Sequence, residues 1–377
     1  MKHGIIGILL LAVYLAATVY VFVRIRQALP AQTTMRILFA VAYVLVALSL
    51  FAAIIFRNIL PSNLLKIMYL VGSTWLVVLL YLTMVFLVID VIYLINNHLH
   101  FIKIGSLGLT LRQRQVFIGF VGVVIVLIAG FYKFNNPKII TQNITIHKNF
   151  SLKNNLKVVA ASDLHIGSGI GKERLKKYVE MINAQNPDIV LIAGDLFDSS
   201  ARPLVEQRMF EEINEISAPF GVYMCFGNHE HISNDKNSLD FIKKTKIIPL
   251  LDSIAEIGNL SIIGRKDYST RNRLNLNELT KNIPAENIKI LLDHQPYYLS
   301  EAQQNNIDLQ ISGHTHDGQF FPINLIVKKM YELPHGYLQK LDTHYIVSSG
   351  LGLWGPPYRI GTQSELWVVN LTFDNNK

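Results

Sequence analysis

Four long apolar stretches before residue 133 constrain this chain more than any other feature. A helix needs about 20 apolar residues to cross a bilayer, because a rise of about 1.5 Å per residue must cover roughly 30 Å of hydrocarbon. Stretches at about 4–23, 37–56, 67–95 and 116–132 meet or approach that length. Arg24 and Arg26 close the first, and Arg36 and Arg57 bracket the second. A cleaved leader would account for the first stretch alone, but three more follow it and no convincing small-residue cleavage site is present. The spacing predicts a four-helix transmembrane anchor over 1–133, a linker and first strand over 134–156, and a second domain over 157–377. Only 16% of the residues are charged, against about 25% in soluble chains, and the apolar excess lies in the anchor.

An even number of spans puts the N-terminus and the second domain on the same side. The first connecting loop carries Arg24, Arg26 and Arg36, and the third carries Lys103, Arg112 and Arg114. The second offers Arg57 and Lys66, while Lys2, Lys133 and Lys138 stand on its side. The preference of Lys and Arg for the cytoplasmic side leans toward the second domain lying outside the cytoplasm. Asp90 falls near the end of the third run, where a carboxylate can reach the headgroup region. No paired broken helices or buried charge cluster mark a transporter, so anchoring is the expected role.

The net charge of +8 and pI near 9.3 suit a neighbour of anionic lipid headgroups. No basic run or aromatic-interleaved basic stripe is present, which argues against nucleic acid. The single cysteine, Cys225, excludes an internal disulfide and a cysteine zinc site, and its apolar run 222–226 predicts a buried, inert thiol. Asn-x-Ser/Thr matches at Asn143, Asn149, Asn259 and Asn370 are expected by chance in an Asn-rich chain.

From about Lys138 short β-rich runs alternate with amphipathic stretches, which predicts an α/β core. Strands are expected at 157–161, 189–193, 222–226, 288–292 and 309–312, with later ones at 345–348 and 366–371, and helices at 172–185 and 204–216. The residues just past the end of each of the first five strands carry the chemistry. Asp163 and His165 come after the first, Asp195 and Asp198 after the second, Asn228 and His229 after the third, His294 after the fourth, and His314 and His316 after the fifth. Ligands of α/β sheets bind beyond the carboxyl ends of strands, so the loops converge on one edge.

The donors are carboxylate, imidazole and one amide, with no thiolate, a set that suits Mn²⁺, Fe, Co²⁺ or Zn²⁺ rather than Ca²⁺. They are too many for one ion. Two divalent metal ions about 3.5–4 Å apart would clamp a phosphoryl group for in-line attack by a hydroxide that bridges them. No His-Glu-x-x-His is present, which excludes a zincin-type protease.

Asp163-x-His165, Gly194-Asp195-x-x-Asp198, Gly227-Asn228-His229-Glu230, His294 and Gly313-His314-x-His316 together resemble the signature of the calcineurin-like metallophosphoesterases, in that family's order. The run from Gly350 to Arg359 is similar to the closing segment of its bacterial membrane-associated branch. The resemblance covers about 157–316. It implies a two-sheet α/β/β/α sandwich, one metal held by Asp163, His165, Asp195 and His316, and a second held by Asp195, Asn228, His294 and His314. It further implies that His229 contacts the phosphate and protonates the leaving oxygen, with the Asp198 carboxylate orienting its ring. Asp317 stands where relatives often have glycine, which would put a bulkier acid beside the pocket. Glu230, His231 and Asp317 are given no catalytic role. His294 is preferred over His231, which is too close to His229, and over His344, which is expected to precede a strand. Arg359 is read either as a phosphate contact or as a surface residue.

The expected function is hydrolysis of a phosphoester or pyrophosphate, with a lipid or lipid-linked substrate suggested only by the anchor. The UDP-diacylglucosamine pyrophosphohydrolases of lipid A synthesis are among the related enzymes. The alternatives are a nucleotide or nucleic-acid phosphodiesterase and, from another class, a non-catalytic membrane receptor or scaffold on a hydrolase fold.

Overall fold

The computed structural model describes residues 2–56, 59–100, 110–198, 201–232 and 235–374, so Arg57 and Lys103 lie outside the described residues. Two compact units divide the chain, Met1–Ala129 and Gly130–Lys377.

The first unit is helical: α1 (Lys2–Ala28), α2 (Thr33–Ile55), α3 (Ser62–Leu99) and α4 (Leu111–Asn135), whose last turns belong to the second unit. All four are long and apolar enough to cross a membrane. At 38 residues α3 is about 57 Å long, well beyond a hydrocarbon core of about 30 Å. It packs closely on α2 because Gly72 presents no side chain to the backbone of Leu50. Asp90 is not simply solvated at a helix end: Tyr20 donates to its Oδ2 at 2.7 Å and Arg24 also reaches it, so the carboxylate joins α1 to α3. In an apolar setting a carboxylate is retained by such partners.

The second unit is a two-sheet sandwich. Its elements run β1 (Lys138–Ile146), β2 (Asn155–Ala161), α5 (Lys172–Asn183), β3 (Ile189–Ala193), α6 (Arg202–Glu206), α7 (Phe210–Ile213), β4 (Val222–Cys225), α8 (Asn228–Ile232), α9 (Asp235–Ile242), β5 (Ile247–Pro249) and β6 (Ser253–Ile257). There follow β7 (Leu260–Gly264), α10 (Leu276–Thr280), β8 (Ile288–Leu292), α11 (Leu299–Gln304), β9 (Leu309–Ser312), α12 (Ile323–Met330), β10 (Gly336–Lys340), β11 (Thr343–Val347) and β12 (Glu365–Phe373). One mixed sheet has the order β1-β12-β2-β3-β4-β5, the other β10-β11-β9-β8-β7-β6. Within them β2, β3, β4 and β5 are mutually parallel, as are β7, β8, β9 and β11.

The apolar clusters define the layers. Val158, Leu191, Ile262, Ile290 and Ile311 lie between the sheets. Leu175, Val179 and Ile213 cover the outer face of the first sheet, and Leu279 and Leu299 that of the second. Central strands buried on both faces read as continuous apolar runs, which is why β3 (Ile189–Ala193) and β8 (Ile288–Leu292) are legible without alternation.

Two expected elements differ. The helix expected over 204–216 is two short helices, because Arg208 takes a left-handed backbone (φ 52°) and Met209 N–H turns back to the Leu204 carbonyl. His344 lies inside β11 rather than before a strand, and its Nδ1 meets the Tyr337 hydroxyl at 2.8 Å.

Candidate metal centre

Each of the five parallel strands named in the sequence ends at one edge of the sandwich, and the next few residues turn sharply inward. Asp163, His165, Asp195, His314 and His316 all take left-handed backbone, with φ between 45° and 71°. That conformation is uncommon outside glycine and concentrates at functional sites, where surrounding structure holds it. Asp317 shares it at φ 48°, a conformation that aspartate enters more readily than most residues.

The motif glycines make room for this convergence. A side chain on Gly227 would run into the Asp195 carboxylate, and one on Gly313 into the Asp163 carboxylate. These glycines are therefore required by close approach rather than by turn geometry.

The structure brings every sequence-predicted site residue together. Donor atoms of Asp163, His165 and His316 lie within 4.8 Å of one another, as do those of Asp195, His294 and His314 and those of His165, Asp195 and His229. His316 Nε2 is 3.4 Å from Asp163 Oδ1 and 3.0 Å from His165 Nε2. On the other side His294 Nε2 is 3.1 Å from Asp195 Oδ2 and 3.2 Å from Asn228 Oδ1, and His314 Nδ1 is 2.9 Å from the same amide oxygen. Asp195 Oδ2 is also 3.8 Å from His165 Nε2, so its carboxylate stands between the two groups. The His294 ring is aimed by its other nitrogen, which donates from Nδ1 to the Ala193 carbonyl at 2.8 Å.

His229 sits at the half-buried mouth, its ring 4.5 Å from that of His165. Its N–H donates to Asp195 Oδ1 at 2.9 Å. Its Nδ1 meets the main-chain carbonyl of Asp198, where the Asp198 carboxylate was expected, so the backbone of the loop orients the ring and Nε2 is left free of that bond.

The electrostatics have physical causes that can be named. Burial pushes the Asp163 carboxyl up to about 6, and the Asp195 charge adds to the rise. Burial opposes ionisation of Asp195, but the imidazoles of His294, His165 and His229 outweigh it and hold that carboxyl well below its usual range. Burial lowers His165 to about 3, His314 to about 4 and His316 well below its ordinary value. For His294 burial works the same way, yet the carboxylates of Asp195 and Asp163 win and lift it. Neutral imidazoles turned toward two buried carboxylates are the donor form that a divalent cation requires. The residues fit such ions, and the raised Asp163 marks negative charge that a cation would compensate.

Glu230, given no catalytic role by the sequence, and Arg359, read there as a phosphate contact or a surface residue, both support this constellation. Glu230 is fully buried, and its carboxylate accepts the N–H groups of Asp195 (2.9 Å), Phe197 (3.0 Å) and Gly227 (2.7 Å), tying the loops after β3 and β4. Arg359 is neither a surface residue nor placed to touch a phosphate. It is fully buried and donates to the carbonyls of His316 (2.9 Å), Ser349 (2.6 Å), Gly350 (3.1 Å) and Gly352 (2.6 Å). The available signal was position: each residue closes a motif block. His335 is engaged elsewhere, with Glu365, and His231 is exposed. Cys225 is buried, as its apolar run predicts.

Beside Gly227 a cavity of about 450 Å³ is lined by His231, Lys266, Asp267, Ser269 and Arg271, among others.

Residues 156–318 match the family model described as calcineurin-like phosphoesterase. The chain is 33% identical over 227 residues to an uncharacterized metallophosphoesterase of Campylobacter jejuni, covering 59% of this chain and 60% of that one. It is 30% identical to an uncharacterized metallophosphoesterase of Aquifex aeolicus, covering 59% of this chain and 87% of that one. It is 28% identical to a bovine transmembrane protein with metallophosphoesterase domain, covering 70% of this chain and 64% of that one. The chain thus spans under two thirds of the Campylobacter and bovine relatives' length.

Proposed function

The chain belongs to the calcineurin-like metallophosphoesterases, and from that premise we propose that it is a membrane-anchored, metal-dependent hydrolase of phosphoester or pyrophosphate bonds. The observation that carries this reading is the convergence of carboxylate, imidazole and amide donors on both sides of Asp195. Asp163, His165, Asp195 and His316 would hold one divalent cation, and Asp195, Asn228, His294 and His314 a second. When bound, such cations supply Lewis acidity to the phosphoryl oxygens and activation of water.

The chain's own residues do the rest. Asp195 bridges the two sites, and Glu230 fixes its backbone. Asn228 offers its amide oxygen toward both His294 and His314. His229, whose Nδ1 donates to the Asp198 carbonyl, presents Nε2 to the leaving oxygen and, as an imidazolium carrying a proton on each ring nitrogen, gives the Nε2 proton to it. The cavity beside Gly227, with Lys266 and Arg271 on its wall, suits the polar part of a substrate.

The four apolar helices support a substrate that is itself in or on a membrane, a lipid or lipid-linked phosphate, of which a UDP-diacylglucosamine-type pyrophosphate is one candidate. The loop charges support a catalytic domain outside the cytoplasm, and the likeness to bacterial relatives supports a bacterial plasma membrane. That placement favours envelope phosphates over a cytoplasmic nucleotide-lipid.

The test is a panel of aryl phosphates, bis-aryl phosphodiesters and lipid-linked pyrophosphates with Mn²⁺, run beside measured metal content. His229→Ala is expected to keep metal and lose about 10²–10⁴-fold in turnover. Asp195→Ala is expected to lose metal as well. Full activity in both variants overturns the site. A wild-type protein binding fewer than about one ion per chain supports the scaffold reading instead.

A further inference from the structure

The helix α12 is amphipathic with its faces inverted. Ile323, Ile326, Val327 and Met330 recur at i, i+3, i+4 and i+7, the spacing of one helical stripe. In a water-soluble domain that stripe would face the core. Here Ile326 and Met330 are 59% and 64% exposed, Ile323 is exposed too, and the residue buried by the helix is the polar Asn324. Phe321, just before the helix, and Trp354 are also exposed. Trp354 is close by: its carbonyl accepts from Gln319 Nε2 at 2.8 Å. Lys328 and Lys329 are exposed off the apolar stripe, and neither forms a salt bridge among the described residues.

Two connections give this patch a meaning. Phe321 N–H donates to the Ile360 carbonyl at 2.7 Å, and Arg359 N–H donates to the Gly130 carbonyl at 3.0 Å. Phe131 meets the Tyr358 ring at 6.4 Å. The segment that precedes α12 is therefore joined, through 358–360, to the last turns of the apolar helix α4. At its other end α12 runs into Tyr331, whose ring stacks on Tyr297 at 5.3 Å and lies 6.4 Å from the ring of His314. One end of the patch adjoins apolar helix, and the other adjoins a candidate ligand.

We propose that α12 is an interfacial helix that seats the exposed Ile323, Ile326 and Met330 of its stripe among the acyl chains of an anionic bilayer. Lys328 and Lys329 meet the headgroup phosphates, and Trp354 lies at the polar boundary. An exposed apolar stripe flanked by lysines and an interfacial tryptophan is the composition that binds lipid surfaces rather than water. The consequence for substrate rests on the hydrolase reading: a phosphate at headgroup depth enters past Tyr331 directly to the metal centre, without leaving the membrane.

The test uses the full chain in vesicles of phosphatidylcholine and phosphatidylglycerol, with a nitroxide at Ile326→Cys or Met330→Cys. The native Cys225 is buried and stays unlabelled. Both nitroxides are expected to collide more with oxygen than with a water-soluble nickel chelate, the reverse of a label at exposed Lys281→Cys. Nickel access matching that of the Lys281 label, or dipolar broadening that places two copies of α12 together, overturns the proposal. A retained thermal transition reports folding of each variant. Turnover of the aryl phosphate, phosphodiester and pyrophosphate panel with Mn²⁺ separates the two readings, because its absence on every substrate alongside lipid-immersed labels sinks the hydrolase and leaves the membrane contact standing.

Discussion

The guanidinium of Arg359 directs its donors to main-chain carbonyls on both sides of the site, at His316 and at Ser349, Gly350 and Gly352. Gly350 in turn lies against the Asp163 side chain. Replacing the arginine leaves several buried acceptors without partners, each costing about 1–3 kcal/mol. Arg359→Met is therefore expected to destabilise the second unit by roughly 3–5 kcal/mol and to weaken metal retention at the candidate ligand His316. Arg359→Lys restores little, because a single ammonium cannot reach the same set of carbonyls. Denaturant unfolding with metal analysis checks both; a wild-type midpoint in Arg359→Met removes the positioning role. At this scale the convergence of candidate donors is legible from residue type and spacing, whereas the role of Arg359 is not. An arginine in a loop reads as solvated until folding surrounds it with carbonyls.

At the scale of elements, the segment leading into β10 is fastened to the start of β12 by His335 and Glu365, whose side chains meet at 3.0 Å. The same carboxylate accepts Ser349 N–H at 2.9 Å and Trp367 Nε1–H at 2.7 Å. Burial disfavours the charged imidazole of His335, but the Glu365 hydrogen bond and charge outweigh it and raise it above its ordinary value. Burial likewise disfavours charge on Glu365, and the bond from His335 outweighs that and lowers it. The raised histidine contributes stability that is complete below its unfolded value of about 6.5 and lost as pH rises through its folded value. The lowered glutamate contributes above its unfolded value of about 4.3 and loses that as pH falls through its folded value. The Tm difference between wild type and His335→Gln is thus expected to be widest between about pH 5 and 6 and to shrink toward pH 9. A pH-independent difference would leave the pair a neutral hydrogen bond. Strand existence was missed in the equally buried β7, where Ser261 and Gly264 break the apolar run, but was readable in β3 and β8. The short edge strands β5 and β10 were not, because three to five half-buried residues carry too little periodicity to register.

For the whole molecule, the carboxylates of Asp163 and Asp195 are buried among imidazoles that burial holds neutral, with His294 the exception. Cations that bind only the folded centre stabilise it by mass action, by about 2.7 kcal/mol at a hundredfold excess over Kd. Chelation is expected to lower the Tm of the catalytic unit by roughly 5–10 °C, at about 2–4 °C per kcal/mol, and Mn²⁺ should restore it. A melting curve indifferent to chelator would sink the metal assignment for every ligand at once.

What the sequence determined by itself is the division into an apolar helical part and an α/β part, the candidate donors, and their order along strand ends. Those features obey local rules: hydrocarbon thickness sets helix length, and a strand's apolar run sets its burial. Tertiary structure alone decided the rest. It paired β1 with β12, brought a backbone carbonyl rather than a carboxylate to His229, buried Glu230 and Arg359 as ties between loops, and left the apolar stripe of α12 outward. These are relations between residues distant in the chain, whose energies depend on which groups remain unsatisfied after packing.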